Sequence, residues 1–93
     1  MVPNVPRVID VGADHALLDI YLAKKYLNTS FLAIDISIKA LENAKKNILE
    51  SSLESRIDVL LNDGLKNIEL NKDDFIVISS FNKMNKCIII IIK

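Results

Sequence analysis

A chain of 93 residues, 51% of them hydrophobic, is long enough for one small domain and too apolar to be disordered by composition. Twelve basic side chains balance twelve acidic ones, so no net field draws the chain to nucleic acid or to an anionic membrane surface. A single cysteine, Cys87, excludes an intramolecular disulfide, the longest wholly apolar run (87–92) is far short of the roughly 20 residues of a membrane span, and Met-Val-Pro-Asn-Val-Pro lacks the regions of a signal peptide. Together these features predict a soluble, cytoplasmic protein.

Pro3 and Pro6 disfavour regular structure, so residues 1–6 read as a lead-in. Arg7 to Val11 is rich in β-branched residues and reads as a buried strand that stops at Gly12. A helix is predicted over 15–26, with Leu18, Leu22 and Tyr26 on one face, Leu17, Ile20 and Tyr21 broadening it, and Asp14 as a candidate cap. A second apolar strand at 31–35 ends on Asp35. Ser37 then caps a helix at 38–50 whose inner face is Leu41, Ala44 and Ile48. A third strand at 56–61 runs into Asn62-Asp63-Gly64, a helical turn is predicted at 65–68, and residues 74–79 form a fourth strand. Strands and helices alternating every ~20–25 residues predict an α/β fold, a partial doubly wound parallel sheet.

Three acids stand where three successive strands end: Asp10, Asp35 and Asp63. The carboxyl ends of an open parallel sheet line one crevice, so these acids converge although they are far apart in sequence. A carboxylate after the second strand can accept both hydroxyls of a ribose, one after the third can accept an adenine amine, and Asp10 beside the glycine turn suits an ammonium group. An amino-acid-bearing adenosine matches this set better than a pyrophosphate does. The plainer alternative stays open, because an Asp at a strand end is commonly a turn or cap residue. The dinucleotide fingerprint is not met, since Gly12 is followed by Ala13 and Asp14 and no further glycine is near. His15, the only histidine, is either a proton-transfer group or a structural residue. No set of His, Cys and acids has metal-ligand spacing, and no Ser-His-Asp set is evident.

The segments 10–18 (Asp-Val-Gly-Ala-Asp-His-Ala-Leu-Leu), 33–36 (Ala-Ile-Asp-Ile), 44–47 (Ala-Lys-Lys-Asn) and 62–65 (Asn-Asp-Gly-Leu) resemble the bacterial tRNA adenine-22 N1-methyltransferases. The resemblance runs from about residue 7 to 78 and implies the N-terminal half of a Rossmann-like class I methyltransferase domain that takes S-adenosylmethionine. It implies that Asp10 and Gly12 hold the methionine part of the cofactor. Asp35 would then bind the ribose, and Asp63 with Gly64 would lie beside the adenine. Asp14 and His15 match a family signature near the cofactor. The implied partner is tRNA, with no membrane and no metal involved.

After the fourth strand the family pattern continues with a glycine-rich stretch at the transfer site, further strands and a helical region associated with tRNA binding. Here Ser79 to Lys93 follows instead, a segment that reads as A+T-rich DNA translated out of frame. The expectation is an aberrant tail at 79–93, truncation of the family domain after the fourth strand, and loss of the acceptor and tRNA-binding part. The tail's isoleucine run either pairs with the open edge of the fourth strand or stays unpaired. Two further readings follow: a noncatalytic adenosine-binding or protein-interaction module, and a nonfunctional fragment.

Overall fold

The computed structural model describes residues 6–81 and 87–92, with side-chain contacts for residues 6–78. Its elements in chain order are β1 (Arg7–Val11), α1 (Leu17–Lys25), β2 (Ser30–Asp35), α2 (Ile38–Glu50), β3 (Ile57–Leu61), β4 (Phe75–Phe81) and β5 (Cys87–Ile92). The strands form one sheet in the order β3-β2-β1-β4-β5. Pairing is parallel between β1 and β2, β2 and β3, and β1 and β4. The chain therefore steps outward from β1 to β3, then returns to the other side of β1, which makes the β1–β4 boundary the switch point of a doubly wound sheet. The expected α/β architecture is the one observed.

Register explains how the layers assemble. Val8 stands level with Phe31 and Phe75, and Asp10 with Ala33 and Val77, so these residues share one face of the sheet. Onto that face pack Ile20 and Ala23 of α1 and Ala44 and Ile48 of α2, around Phe31, Ala33 and Ile57. Burying each large side chain here contributes about 1.5–3 kcal/mol relative to leaving it exposed. On the opposite face Ile9 and Ile34 are buried, Leu32, Ile76 and Ile78 are half-buried, and Leu60 is exposed.

The second helix follows its sequence closely. Ser37 Oγ accepts from the Ala40 N–H at 3.2 Å, and Leu41, Ala44 and Ile48 are its buried residues. The first helix departs from expectation. It begins at Leu17, and its N-cap position is Ala16 in the left-handed region, with no side-chain cap. Asp14 does not cap it, because its own backbone is also left-handed, at φ 53°, and turns before the helix begins. The buried residues of α1 are Asp19, Ile20 and Ala23, while Leu17, Tyr21 and Tyr26 are exposed. Small residues at 16 and 23 lie against the sheet, while of the predicted face Ile20 and Leu22 pack on the core and Leu18 is half-buried. Residues 63–68 make two successive turns rather than a helix, closed by Lys66 N–H to Asp63 O and Ile68 N–H to Leu65 O.

Two arginines tie the layers together. Arg56 donates to the carbonyls of Ala23, Tyr26 and Thr29 at 2.8, 2.6 and 2.9 Å, which ties the last turn of α1 to the loop after it and places a cation at the negative end of the helix. Arg7 at the start of β1 makes a two-pronged pair with Asp74, Nε to Oδ1 at 3.1 Å and Nη2 to Oδ2 at 2.7 Å, and also donates to Glu69 O. The pair holds the loop before β4 against the sheet. Past residue 78, β5 runs antiparallel to β4 from Phe81↔Cys87 to Ile76↔Ile92, so the β4 edge is paired.

Candidate functional site

The turn after β1 is built on backbone conformation. Gly12 sits at φ 76°, and the N–H groups of Gly12 and Ala13 both donate to Ile34 O, at 2.9 and 3.0 Å. Positive φ is the conformation for which glycine has no steric cost. The next N–H, of Asp14, donates to Asp35 Oδ2 at 2.9 Å, and Asp35 Oδ1 accepts from the Ser37 N–H at 2.9 Å. The carboxylate at the end of β2 thus fastens the turn after β1 on one side and starts α2 on the other. From α2, Asn47 Nδ2 donates to His15 O at 3.0 Å and fixes the far end of the same turn.

A crevice of about 300 Å3 opens at these strand ends, lined by residues that include Gly12, Ile34, Asp35, Ile36, Asp63 and Gly64. The third wall is shaped by Asn62, whose Nδ2 donates to Gly64 O and Lys66 O, both at 2.9 Å. Gly64 takes φ +57°, and a Cβ there would meet no atom within 4 Å, so backbone conformation and not crowding selects glycine. The volume lies at the lower end of the roughly 300–1,000 Å3 usual for ligand pockets.

Of the seven residues singled out in the sequence, Gly12, Asp35, Asp63 and Gly64 line this crevice. Asp10 is fully buried beneath it. Asp14 reaches it through its backbone bond to Asp35, while His15 is exposed, with Nε2 3.5 Å from Asp14 Oδ1. The sequence reading missed Ile36 and Asn62 as wall residues, although each adjoins an acid at a strand end. It also missed Asn47, whose role depends on packing between α2 and the turn. Asp19 was missed entirely. This α1 residue is fully buried, and burial first, then the hydrogen bond and charge of the neighbouring Asp10 carboxyl, push its pKa up to about 9. Among the described residues no cluster of His, Cys, Asp and Glu could hold a metal ion, and no helix is long and apolar enough to cross a membrane.

The profile of a family described as a methyltransferase domain matches residues 1–89. The tRNA (adenine(22)-N(1))-methyltransferase of Bacillus subtilis (strain 168) is 32% identical over 78 residues, which cover 84% of this chain and 33% of that protein. A release factor glutamine methyltransferase of Rhodopirellula baltica is 33% identical over 64 residues, covering 69% of this chain and 22% of that protein. Among solved structures, M. capricolum TrmK in complex with S-adenosyl-homocysteine superposes with a TM-score of 0.68 at 25% identity, covering 89% of this chain and 49% of that one. The apo form of the S-adenosylmethionine-dependent methyltransferase SibL superposes with a TM-score of 0.70 at 29% identity, covering 82% and 22%. The chain spans a third or less of the length of these two curated relatives. Fold, glycine turn and family profile agree: this chain belongs to the methyltransferase-domain family.

Proposed function

We propose that residues 7–78 form the cofactor-binding part of an S-adenosylmethionine-dependent methyltransferase whose acceptor is an adenine of tRNA. The observation that carries this reading is the convergence of Gly12, Asp35, Asp63 and Gly64 on one crevice at the strand ends. The residues fit such a group. The glycine turn leaves backbone open to close approach, two carboxylates offer acceptors for hydroxyls and an amine, and Ile34 and Ile36 give a flat base an apolar surface. S-adenosylmethionine, when bound, supplies a methyl group already activated on a sulfonium centre.

The work of this chain's residues is to bind and orient. Asp35 accepts ribose hydroxyls while it holds the turn through the Asp14 and Ser37 N–H groups. Asp63, exposed at the third strand end, accepts the adenine amine. Asp10, buried at the root of the turn, would supply negative charge toward the cofactor's ammonium group. Methyl transfer needs alignment of acceptor and methyl carbon more than proton chemistry, so a rigid turn is the main contribution of this half. The tRNA substrate is supported by the names of the Bacillus subtilis relative and of a tRNA1(Val) (adenine(37)-N6)-methyltransferase of Vibrio vulnificus, 34% identical over 60 residues that cover 64% of this chain and 25% of that protein.

The test is calorimetric titration with S-adenosylhomocysteine, followed by a methyl-transfer assay on bulk tRNA. Saturable binding that Asp63→Ala weakens supports the cofactor site, and transfer to adenine supports the acceptor. Binding without transfer leaves the noncatalytic adenosine-binding module as the better reading. No binding by folded protein contradicts both.

A further inference from the structure

Asp10 and Asp19 stand out among the charged side chains. Both are fully buried, one on β1 and one on α1, and their carboxyl groups adjoin each other across that interface. Both oxygens of Asp19 are buried, and among the described residues no amide, hydroxyl or cationic side chain donates to them. A buried carboxylate without donors costs several kcal/mol, and two charged carboxylates in contact cost more. One proton between them removes both penalties, because a protonated carboxyl donates where a carboxylate accepts.

We infer that Asp19 is a positioning residue for Asp10, the two carboxyl groups sharing one proton held on Asp19, so that Asp10 stays charged and fixed at the root of the glycine turn. Gly12, two residues beyond Asp10, opens the crevice, so the arrangement sets where negative charge sits beneath it. Among the described residues, Asp10 is the one charged group that acts on Asp19. The core residues that α2, β2 and β3 bring to the same layer are apolar: Ala44, Ile48, Phe31, Ala33 and Ile57. His15 and Asp14, in the turn before α1, pair with each other. The consequence for ligand binding rests on the cofactor reading above, whereas the shared proton itself does not.

The sign of the pH dependence follows from the raised pKa. The contribution to stability is full below the ordinary carboxylate range and is lost as pH rises through about 9, where Asp19 gives up its proton. Asp19→Asn keeps a donor toward Asp10 without needing a proton. The experiment measures urea unfolding midpoints of the full chain between about pH 6 and about pH 9.5, where the one-proton change applies. The wild-type midpoint falls across this range and that of Asp19→Asn stays flat. S-adenosylhomocysteine affinity follows the same contrast, weakening toward alkaline pH in the wild type alone. Carbon-13 shifts of the wild-type Asp19 carboxyl give a readout that needs neither variant nor ligand. A titration near the ordinary carboxylate value, or equal pH slopes in both proteins, overturns the proposal. A flat affinity profile beside the expected shifts in stability counts against the cofactor reading alone.

Discussion

Asp35 accepts backbone N–H groups on both oxygens, from Asp14 and from Ser37, each at 2.9 Å, and it also lines the crevice. Removing it therefore acts twice. Asp35→Ala is expected to lower S-adenosylhomocysteine affinity at least tenfold and to destabilise the fold by roughly 1–3 kcal/mol, because the Asp14 and Ser37 donors lose a charged acceptor. Asp63 is exposed, so Asp63→Ala is expected to lower affinity about tenfold and leave the unfolding midpoint unchanged. Calorimetric titration and urea unfolding of the two variants separate these outcomes. Both acids were legible in the sequence, because a strand end followed by a turn tells where the residue goes. Asp19 was not. An acid in the first turn of a helix ordinarily faces water and complements the dipole, and nothing local shows that small neighbours draw it into the sheet.

The two helices were legible to different degrees, for a physical reason. In α2, apolar residues fall at Leu41, Ala44 and Ile48 among charged ones, so one face alone can be buried, and Ser37 marks its start. In α1, Leu17, Leu18, Ile20, Tyr21 and Leu22 surround the helix, and several orientations bury similar area. The backbone decides instead: left-handed residues at Asp14 and Ala16 delay the start to Leu17, and the inner face becomes Ala16, Asp19, Ile20 and Ala23. Far from this start, Arg56 closes the other end through three carbonyls. Arg56→Met is expected to cost about 1–3 kcal/mol in urea unfolding, with the last turn of α1 losing amide protection first. Ser37→Ala is expected to cost about 1 kcal/mol by the same measurement, through loss of the cap on α2.

At the scale of the whole molecule, two buried acids give stability opposite slopes with pH. Asp74 is held below the ordinary carboxylate range by its hydrogen bonds with Arg7, so its contribution is present above that range and is lost as pH falls through its lowered value. Asp19 acts in the other direction, toward alkaline pH. A stability profile with both an acid and an alkaline limb is the expected result, and Asp74→Asn flattens the acid limb alone when unfolding midpoints are measured against pH. The parallel α/β architecture was readable from alternation of strands and helices at short spacing, which leaves a right-handed parallel arrangement as the main solution. The pairing of β5 with β4 was one of two alternatives the sequence left open, since an isoleucine run carries no alternation to fix its register.

The central claim is that the β1, β2 and β3 ends form one cofactor crevice. It is tested most directly by titrating S-adenosylhomocysteine into the nitrogen-15-labelled chain and following the amide resonances. Saturable shifts confined to Gly12 through Asp14, Asp35 and Ile36, and Asn62 through Gly64 are the expected result. Saturable shifts centred elsewhere, or none in a well-dispersed spectrum, would contradict it.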